Sequence, residues 1–332
     1  MATKAFTTYR LHFTSPLHVG DSRSDYGISL QTVNSDTLYA ALTSCLAKTG
    51  HPMPADGDLG CTLSSLFPFY QKDSATEPVL FFPRPLRSAQ PILKDVTQTK
   101  KVKKVAWLDQ TLFERAISGE VLFDQNKEVE CIRGQYATRQ NIPSPFISSQ
   151  VSQRVTVSRD MSDDAKPFSK PFYMDKVFFS DHSGLYFICE GNTELIDQCL
   201  PLLQWEGLGT DRNVGNGFFR YEKSVLNLAI PDGCVRSMAL SLFIPENREQ
   251  WEQMTAGSNI AYDFQRRGGW ITSPPDNTLR KNAIYGITAG SVFCSDSKGC
   301  FVAGRIVDLR PSIPTVQHPI WRCGRSIFIP VK

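Results

Sequence analysis

Residues 6–14 alternate between apolar and polar side chains, with Tyr9, Leu11 and Phe13 on one side of the chain and polar residues on the other. A period of two is typical of a strand with one buried face. The dipeptide Ser15-Pro16 breaks the alternation, and a segment without a clear period follows. The pattern therefore predicts that the chain begins with a half-buried strand and continues into a long loop.

Two later segments have the spacing of apolar residues that predicts an amphipathic helix. The first begins at Ser35 or Asp36, either of which can cap it, and ends before Gly50. The second spans about 193–205, and Pro201 should kink it. A glycine-rich segment and then a strand-like segment follow the second helix directly.

The remaining strand-like runs complete two units. Runs at 177–179, 185–189 and 218–225 give the first unit the order β-α-(insert)-β-β-α-β, which is close to a ferredoxin-like or RRM-like arrangement. The turn Pro231-Asp232-Gly233 marks its end, and the remainder is again rich in β-α-β order. We predict an α+β protein with two tandem ferredoxin-like (RRM-like) domains, an N-terminal domain at 1–230 and a degraded second copy at 231–332.

The periodic pattern loosens between about residues 84 and 170, where Pro, Ser, Gln and basic residues dominate. A structureless stretch of this length is improbable inside a compact domain. Two short alternating runs stand out, at 120–123 and 151–157. We therefore predict an insertion in the first domain with the character of a β-hairpin.

The formal net charge of the 332 residues is only +3, which does not by itself indicate a nucleic-acid partner. The distribution of charge is more informative, because residues 131–159 contain no Asp or Glu. The same segment contains the arginines Arg133, Arg139, Arg154 and Arg159. Arginines that alternate with amide and aromatic side chains suit single-stranded RNA, whose phosphates they hold while aromatic rings stack on bases. A solvated loop or a subunit contact is the alternative.

The nine cysteines are irregularly spaced and form no CxxC motif, which argues against a local zinc site and favours reduced thiols. No apolar stretch approaches the roughly 18 residues that span a bilayer. The first ten residues lack the apolar region of a secretory signal. We expect a cytoplasmic protein without membrane association, metal or cofactor.

The sharpest local signal is the segment Gly207 to Gly217, which contains four glycines. Glycine lets backbone N–H groups approach a phosphate closely, and Arg212 can add a bidentate contact. The segment lacks the lysine and the spacing of a Walker A motif, and it lacks the third glycine of a dinucleotide fingerprint. We predict a loop that faces an anion or RNA, with a tight connection between helix and strand as the alternative.

Three further segments are weaker candidates. His18, beside Gly20 and just after the first strand, either contacts RNA or has a structural role, and catalysis is the least favoured of its roles. The start of the helix at Ser35 offers free N–H groups that favour a phosphate, but Asp36 opposes this electrostatically and is expected to cap the helix. The run Arg266 to Trp270 offers a basic edge and an exposed Trp, although a β-bulge explains its glycines equally well.

Four segments resemble the RAMP superfamily of CRISPR proteins: LHFTSPLHVG (11–20), SDTLYAAL (35–42), GLGTDRNVGNG (207–217) and HPIWRCG (318–324). More specifically, they resemble the subunit of type III-A (Csm) effector complexes that caps the 5′ end of the guide. Many RAMPs share the glycine-rich loop, whereas its combination with the SPLHxG and SDTL segments is far more specific. The middle insertion is only loosely alike.

The resemblance implies two tandem ferredoxin-like domains, no nuclease activity, and a thumb-like hairpin at the junction between tag and guide. It implies that the 5′ repeat-derived tag of the CRISPR RNA (crRNA) lies against the glycine-rich loop and the first domain. It also implies two protein partners, the repeated backbone RAMP subunit and the large polymerase-palm subunit. The RNA-binding residues it implies are Gly207, Gly209, Arg212, Gly215, Asn216 and Gly217, together with His18 and Gly20.

We therefore expect a non-catalytic RNA-binding subunit of a type III-A effector complex. Motifs such as HExxH and GxSxG are absent, but metal-independent RNA cleavage needs no such motif. A RAMP-type endoribonuclease with His12 or His18 as general acid or base is thus one alternative. A pure assembly subunit whose basic regions touch only protein is another, and a RAMP subunit of a different type III system is a subtype alternative.

Overall fold

The computed structural model describes residues 1–20, 26–86, 96–123, 132–157, 169–295 and 301–332. Within these ranges the helices are α1 Ser35–Lys48, α2 Val96–Lys104, α3 Gln110–Ile117, α4 Glu194–Glu206 and α5 Arg248–Thr255. The strands in the same ranges are β1 Ala2–Phe13, β2 Cys61–Leu63, β3 Phe67–Tyr70, β4 Val79–Pro83, β5 Trp107–Asp109, β6 Ile132–Arg133, β7 Tyr136–Ala137, β8 Ile147–Val157, β9 Ser169–Phe179, β10 Ser183–Gly191, β11 Phe219–Ile230, β12 Arg236–Ala239, β13 Phe264–Arg267, β14 Ile284–Ile287, β15 Val292–Cys294, β16 Val302–Ala303, β17 Ile306–Asp308, β18 Trp321–Cys323 and β19 Ser326–Val331. The predicted α+β class is confirmed. No described helix is long and apolar enough to cross a membrane.

In the largest sheet, β1 pairs antiparallel with β11 on one side and with β10 on the other. Its order is β11-β1-β10-β3-β4-β5-β7-β6, and β2 also pairs with β10. Because α1 follows β1 and α4 precedes β11, strands β11, β1, β10 and β3 interleave as in a split β-α-β unit. That the second half of the chain repeats this arrangement stays a prediction.

Strand β10 is buried on both of its faces, and residues 183–189 are all shielded from solvent. Leu185 and Phe187 pack in the cluster that contains the apolar stripes of α1 and α4. Tyr186 and Ile188 point the other way and pack with side chains of the second sheet. A strand covered on both faces reads as a continuous apolar run. Helices α1 and α4, the first sheet and the second sheet therefore form three layers.

The second sheet has the order β15-β12-β19-β16 and is antiparallel throughout. Two short ribbons accompany it, one of β13 with β14 and one of β17 with β18. Strand β13 ends at Arg267, where Gly268-Gly269 begins. The two arginines of the basic run, Arg266 and Arg267, therefore lie in an ordered ribbon of the second unit.

Helix α1 has nearly the predicted bounds, but its predicted cap is wrong. Asn34 is the N-cap residue, and no side-chain hydrogen bond caps the helix. The Ser35 hydroxyl instead accepts a hydrogen bond from the backbone N–H of Leu242 at 2.9 Å. The Asp36 carboxylate binds two arginines of the second unit, as described below. The side chains of both candidate capping residues therefore bind residues of the second unit and do not cap the helix.

The predicted hairpin is present as an antiparallel ribbon of β8 and β9, each eleven residues long. Its bounds differ from the prediction, because β9 continues to Phe179 and no strand forms at 120–123. Pro171 lies inside β9 opposite Val155, where an edge strand tolerates a residue without an N–H. The described part of the segment before the hairpin is not loose, since it forms α2, α3 and three strands that extend the first sheet.

Candidate nucleic-acid interface

The glycine-rich loop, residues 207–217, folds directly onto the segment that follows β1. The N–H of Thr210 donates to the carbonyl oxygen of His18 at 2.9 Å, and the N–H of Gly217 donates to that of Pro16 at 2.8 Å. Strands β1 and β11 pair along their whole length, so the segments that flank them meet at the same end of the sheet. Two motifs that are far apart in the sequence thus form one surface.

Glycine is required in this loop for two different structural reasons. Gly209 has a φ of +85°, and a Cβ there would collide with the carbonyl oxygen of His18. Gly217 has a φ of +78°, and a Cβ there would collide with the carbonyl oxygen of Leu208. Gly215 also has a positive φ, +88°, but its missing Cβ would meet no atom within 4 Å. Gly209 and Gly217 permit close backbone packing, whereas Gly215 is needed only for its backbone conformation.

The loop forms one wall of a cleft of about 590 Å³. Gly207, Gly209 and Arg212 lie on that wall, and the opposite wall belongs to the second unit. The charged side chains around the cleft are Arg212, Arg266, Arg267, Lys281, Arg322 and Asp36. Among the described residues, five cations thus surround a single carboxylate. An excess of positive charge in a concave site attracts a polyanion such as RNA.

Asp36 lies in the first turn of α1 and is fully buried. Its Oδ2 accepts a hydrogen bond from Nε of Arg267 at 2.9 Å, and its Oδ1 accepts one from a terminal nitrogen of the same side chain at 3.0 Å. Arg322 of β18 binds Oδ2 as well, and it donates to the carbonyl oxygen of Gly268 at 3.1 Å. Two guanidinium groups and one carboxylate leave one excess positive charge in this cluster, which joins the two units beside the cleft.

His18 is only 1 % exposed, and its Nδ1 lies 2.7 Å from the carbonyl oxygen of Asp175. The imidazole therefore supports the wall of the cleft from within, and we revise its predicted role from RNA contact to structural support. Gly20 is exposed at the edge of the cleft. Asn216 is 2 % exposed behind the loop, so its side chain does not face the cleft. No described residue accepts a hydrogen bond from its Nδ2.

None of the described arginines of the acid-free segment lines the cleft. Arg154 on β8 pairs with Asp211 of the glycine-rich loop, with 2.9 Å between Nη1 and Oδ2, and so brings the hairpin to the loop. Arg133 and Arg139 are exposed, and neither lines the cleft. Arg159 lies outside the described residues. The described arginines of this segment therefore lie on different elements, because the segment passes from the first sheet into the hairpin.

The wall formed by the second unit is the part of the site that the sequence analysis indicates least. The run Arg266 to Trp270 is a weaker candidate, Arg322 lies in the HPIWRCG segment (318–324) without an RNA contact assigned to it, and Lys281 has no local signal of its own. The structure brings them together because β13 and β18 both meet the start of α1. Burial, with Arg267 as a second cause, lowers the pKa of Lys281 to about 8. A phosphate bound beside Lys281 would offset the cost of keeping its buried ammonium group charged.

The two histidines considered for catalysis do not share a site. His12 lies in a different groove, beside Arg220 and Glu222, and its Nε2 is 3.8 Å from Oε1 of Glu222. Burial lowers the pKa of His12, although Glu222 opposes the shift. In the described part of the chain, no three metal-binding side chains are grouped closely enough to hold an ion.

Comparison with known proteins gives a consistent result. Residues 235–331 match the family model described as the CRISPR Csm4 C-terminal domain. A protein named "CRISPR system Cms protein Csm4" from Mycobacterium tuberculosis is 24% identical over 315 residues, which cover 92% of each chain. The protein of the same name from Streptococcus thermophilus is 28% identical over 160 residues, or 46% of this chain and 50% of that protein.

Solved structures share the fold. A chain in the crystal structure of the Csm3-Csm4 subcomplex of the type III-A CRISPR-Cas interference complex matches with a TM-score of 0.64 at 16% identity, covering 99% of this chain and 100% of that one. A chain in the crystal structure of the Csm1-Csm4 cassette with cA4 matches with a TM-score of 0.57 at 18% identity, covering 99% and 98%. The resemblance to RAMP proteins of CRISPR effector complexes is thereby confirmed. Within that class, the protein that this chain resembles is Csm4.

Proposed function

We propose that this chain is a non-catalytic RNA-binding subunit of a type III-A CRISPR effector complex that anchors the 5′ repeat-derived tag of the crRNA. The observation that carries this proposal is the cleft in which five cations surround one carboxylate beside the glycine-rich loop. The likeness to Csm4 supports the choice of complex. The charge and shape of the cleft support the choice of ligand.

In this site, contacts to the phosphates fix the position of the bound RNA. Arg212 is the loop cation best placed for a phosphate, because its side chain is 30% exposed and its nearest carboxylate is occupied. That carboxylate, Glu206, lies 4.0 Å away and accepts hydrogen bonds at 2.7 Å from Lys48 through both of its oxygens. Backbone N–H groups and arginines hold phosphates without reading sequence. The tag bases are then read by edge contacts and by stacking.

The buried arginines have a different role from Arg212. Arg267 and Arg322 are 8% and 5% exposed, and both are bound to Asp36. They contribute positive potential to the cleft and fix the second unit against the first. The cations available for direct contact are therefore Arg212 on one wall, and Arg266 and Lys281 on the other.

Two protein partners complete the proposal. The matched structures contain Csm4 with Csm1, the large subunit, and with Csm3, the backbone RAMP. For this chain we propose the corresponding partners, so that one end of the guide is fixed while the large subunit docks beside it. The absence of catalysis is part of the same proposal. It is supported by the burial of His18, whose imidazole is 1% exposed and so does not reach a 2′-OH as general acid or base.

The experiment compares two arginine substitutions in the complex. The chain is co-expressed with its genomic neighbours and precursor RNA, and the complex is purified by a tag on this chain. We expect Arg212→Ala to lower the amount of RNA per complex. Arg248→Ala is the matched control, because Arg248 is 91% exposed on α5 and does not line the cleft. Equal RNA content in both variants and in the wild type would contradict the proposal.

A further inference from the structure

We propose that the second unit supplies a nucleotide subsite in this cleft, in which a base of single-stranded RNA stacks on Trp270 while Lys281 and Arg266 hold neighbouring phosphates. The inference rests on the proposed RNA-binding function. It assigns a base-contacting residue to the wall opposite the glycine-rich loop, so that the RNA lies between the two units.

Trp270 is held in place by an ordered backbone. It stands opposite Arg280 in an antiparallel bridge. Two backbone hydrogen bonds flank the pair, one from Ile271 to Leu279 at 3.0 Å and one from Lys281 to Gly269 at 3.1 Å. The guanidinium carbon of Arg280 lies 4.5 Å from the centre of the indole ring. Such a contact restrains the ring, and less ordering is then needed when a base binds.

The indole is available to a ligand. Trp270 is 48% exposed and lines the cleft. It packs in none of the hydrophobic clusters formed by the described residues. A half-exposed Trp in a concave, cationic site is typical of a stacking platform, since every base has a flat face that an aromatic ring can cover. Tyr26, which is 47% exposed, lines the wall on the side of the first unit.

The cations beside Trp270 lack acidic partners in the cleft. No hydrogen bond or ion pair joins the Lys281 ammonium to any described residue, and Arg267 lies close enough to lower its pKa. Arg266 is exposed on β13, and no carboxylate in the described ranges pairs with it. The carboxylate of Asp36 is already bound by Arg267 and Arg322. A phosphodiester placed here would therefore supply the missing negative charge.

Two measurements on the full chain in its complex test this subsite. Ultraviolet irradiation of the purified complex, followed by mass spectrometry, should yield a nucleotide-bearing peptide that contains Trp270. Trp270→Ala should weaken binding of a labelled single-stranded RNA, with the tag sequence recovered from the complex, by about tenfold, and Trp270→Phe should restore part of the affinity. Trp205→Ala is the matched control, because Trp205 is 71% exposed on α4 and does not line the cleft.

A third variant keeps the inference testable if Trp270→Ala does not fold. Lys281→Gln should reduce the slope of log affinity against log salt concentration by roughly 0.7, the value for one lost phosphate contact to a single strand. An unchanged slope would overturn the subsite and leave the proposed function standing. The same conclusion would follow if the wild-type complex held tagged RNA without a crosslink at Trp270 and Trp270→Ala left the affinity unchanged. Loss of a protein subunit from Trp270→Ala with RNA retained would also overturn it. A wild-type complex without RNA would refute the proposed function itself.

Discussion

Asp36 in the first turn of α1 binds Arg267 of β13 through both of its carboxylate oxygens, at 2.9 and 3.0 Å. The contact joins residues that are 231 positions apart in the sequence, and it lies beside the cleft that we propose for RNA. A carboxylate at a helix N-terminus is also favoured by the helix dipole. The contact therefore stabilises the helix start, the interface of the two units and one wall of the cleft together.

Asp36→Ala tests this contact through the stability of the full chain. Removal of one member of a buried ion cluster leaves uncompensated charge, here on Arg267 and Arg322, and costs about 3–5 kcal/mol. Equilibrium urea unfolding should show a loss of this size. Asp181→Asn is the control, since Asp181 is exposed, and it should change the free energy of unfolding by less than about 0.5 kcal/mol. Similar small losses in both variants would contradict the role given to Asp36.

Gly209 and Gly215 form a matched pair that separates backbone conformation from close packing. Both have positive φ, so alanine at either position costs about 1–2 kcal/mol for the left-handed conformation. Only Gly209→Ala also places a methyl group against the carbonyl oxygen of His18. We expect Gly209→Ala to lower the free energy of unfolding further and to reduce RNA retention. Equal effects of the two substitutions would show that the close approach is unimportant.

Because Arg154 is paired with Asp211, we predict that substitution of Arg154 has only a weak effect on RNA binding. The composition of the acid-free segment alone would predict a strong effect. Both side chains are about one-third exposed, so the pair contributes only about 0–1 kcal/mol to stability. The carboxylate of Asp211 already balances the positive charge of Arg154. Arg154→Ala should therefore release less RNA than Arg212→Ala, measured as RNA per purified complex. Asp211→Asn should increase RNA affinity at low salt, and a decrease would contradict this assignment.

Lys281 predicts a pH dependence of RNA binding. Its pKa of about 8 lies below the ordinary lysine value, chiefly because of burial, and Arg267 adds to the shift. A phosphate favours the protonated ammonium, so affinity should fall as pH rises through about 8. The other cationic side chains that face the same cleft are those of Arg212, Arg266, Arg267 and Arg322, and a guanidinium is a charge that proteins do not remove. Lys281→Arg should bind RNA with little pH dependence, and a wild-type profile in that variant would contradict the assignment.

Much of the first unit could be predicted from local pattern. The alternation around Tyr9 predicts β1, helical spacing predicts α1 and α4, and the four glycines predict a loop that faces an anion or RNA. Strand β10 and the hairpin also have readable signals. In each case the residues that decide the structure are neighbours in the sequence or share a simple period.

The features that local sequence pattern does not predict depend on contacts between distant segments. Asp36 reads as a local cap, because nothing nearby in the sequence reveals that Arg267 and Arg322 will bind it. Lys281 has no motif at all, and only the fold brings it, from the segment between β13 and β14, into the cleft with the start of α1. The acid-free segment predicts contacts with single-stranded RNA, yet the fold places Arg133 on β6 of the first sheet and Arg154 on β8 of the hairpin. Charge counted along the chain does not give its position in space.

The most direct test of the proposed function is to sequence the 5′ ends of the RNA that co-purifies with this chain. The chain would carry the affinity tag and be expressed with its genomic neighbours and a precursor RNA. We predict short RNAs that share one repeat-derived 5′ end in the wild-type complex, and a marked loss of these RNAs with Arg212→Ala but not with Arg248→Ala. RNA-free protein, or random fragments without a common 5′ end, would contradict the anchoring role.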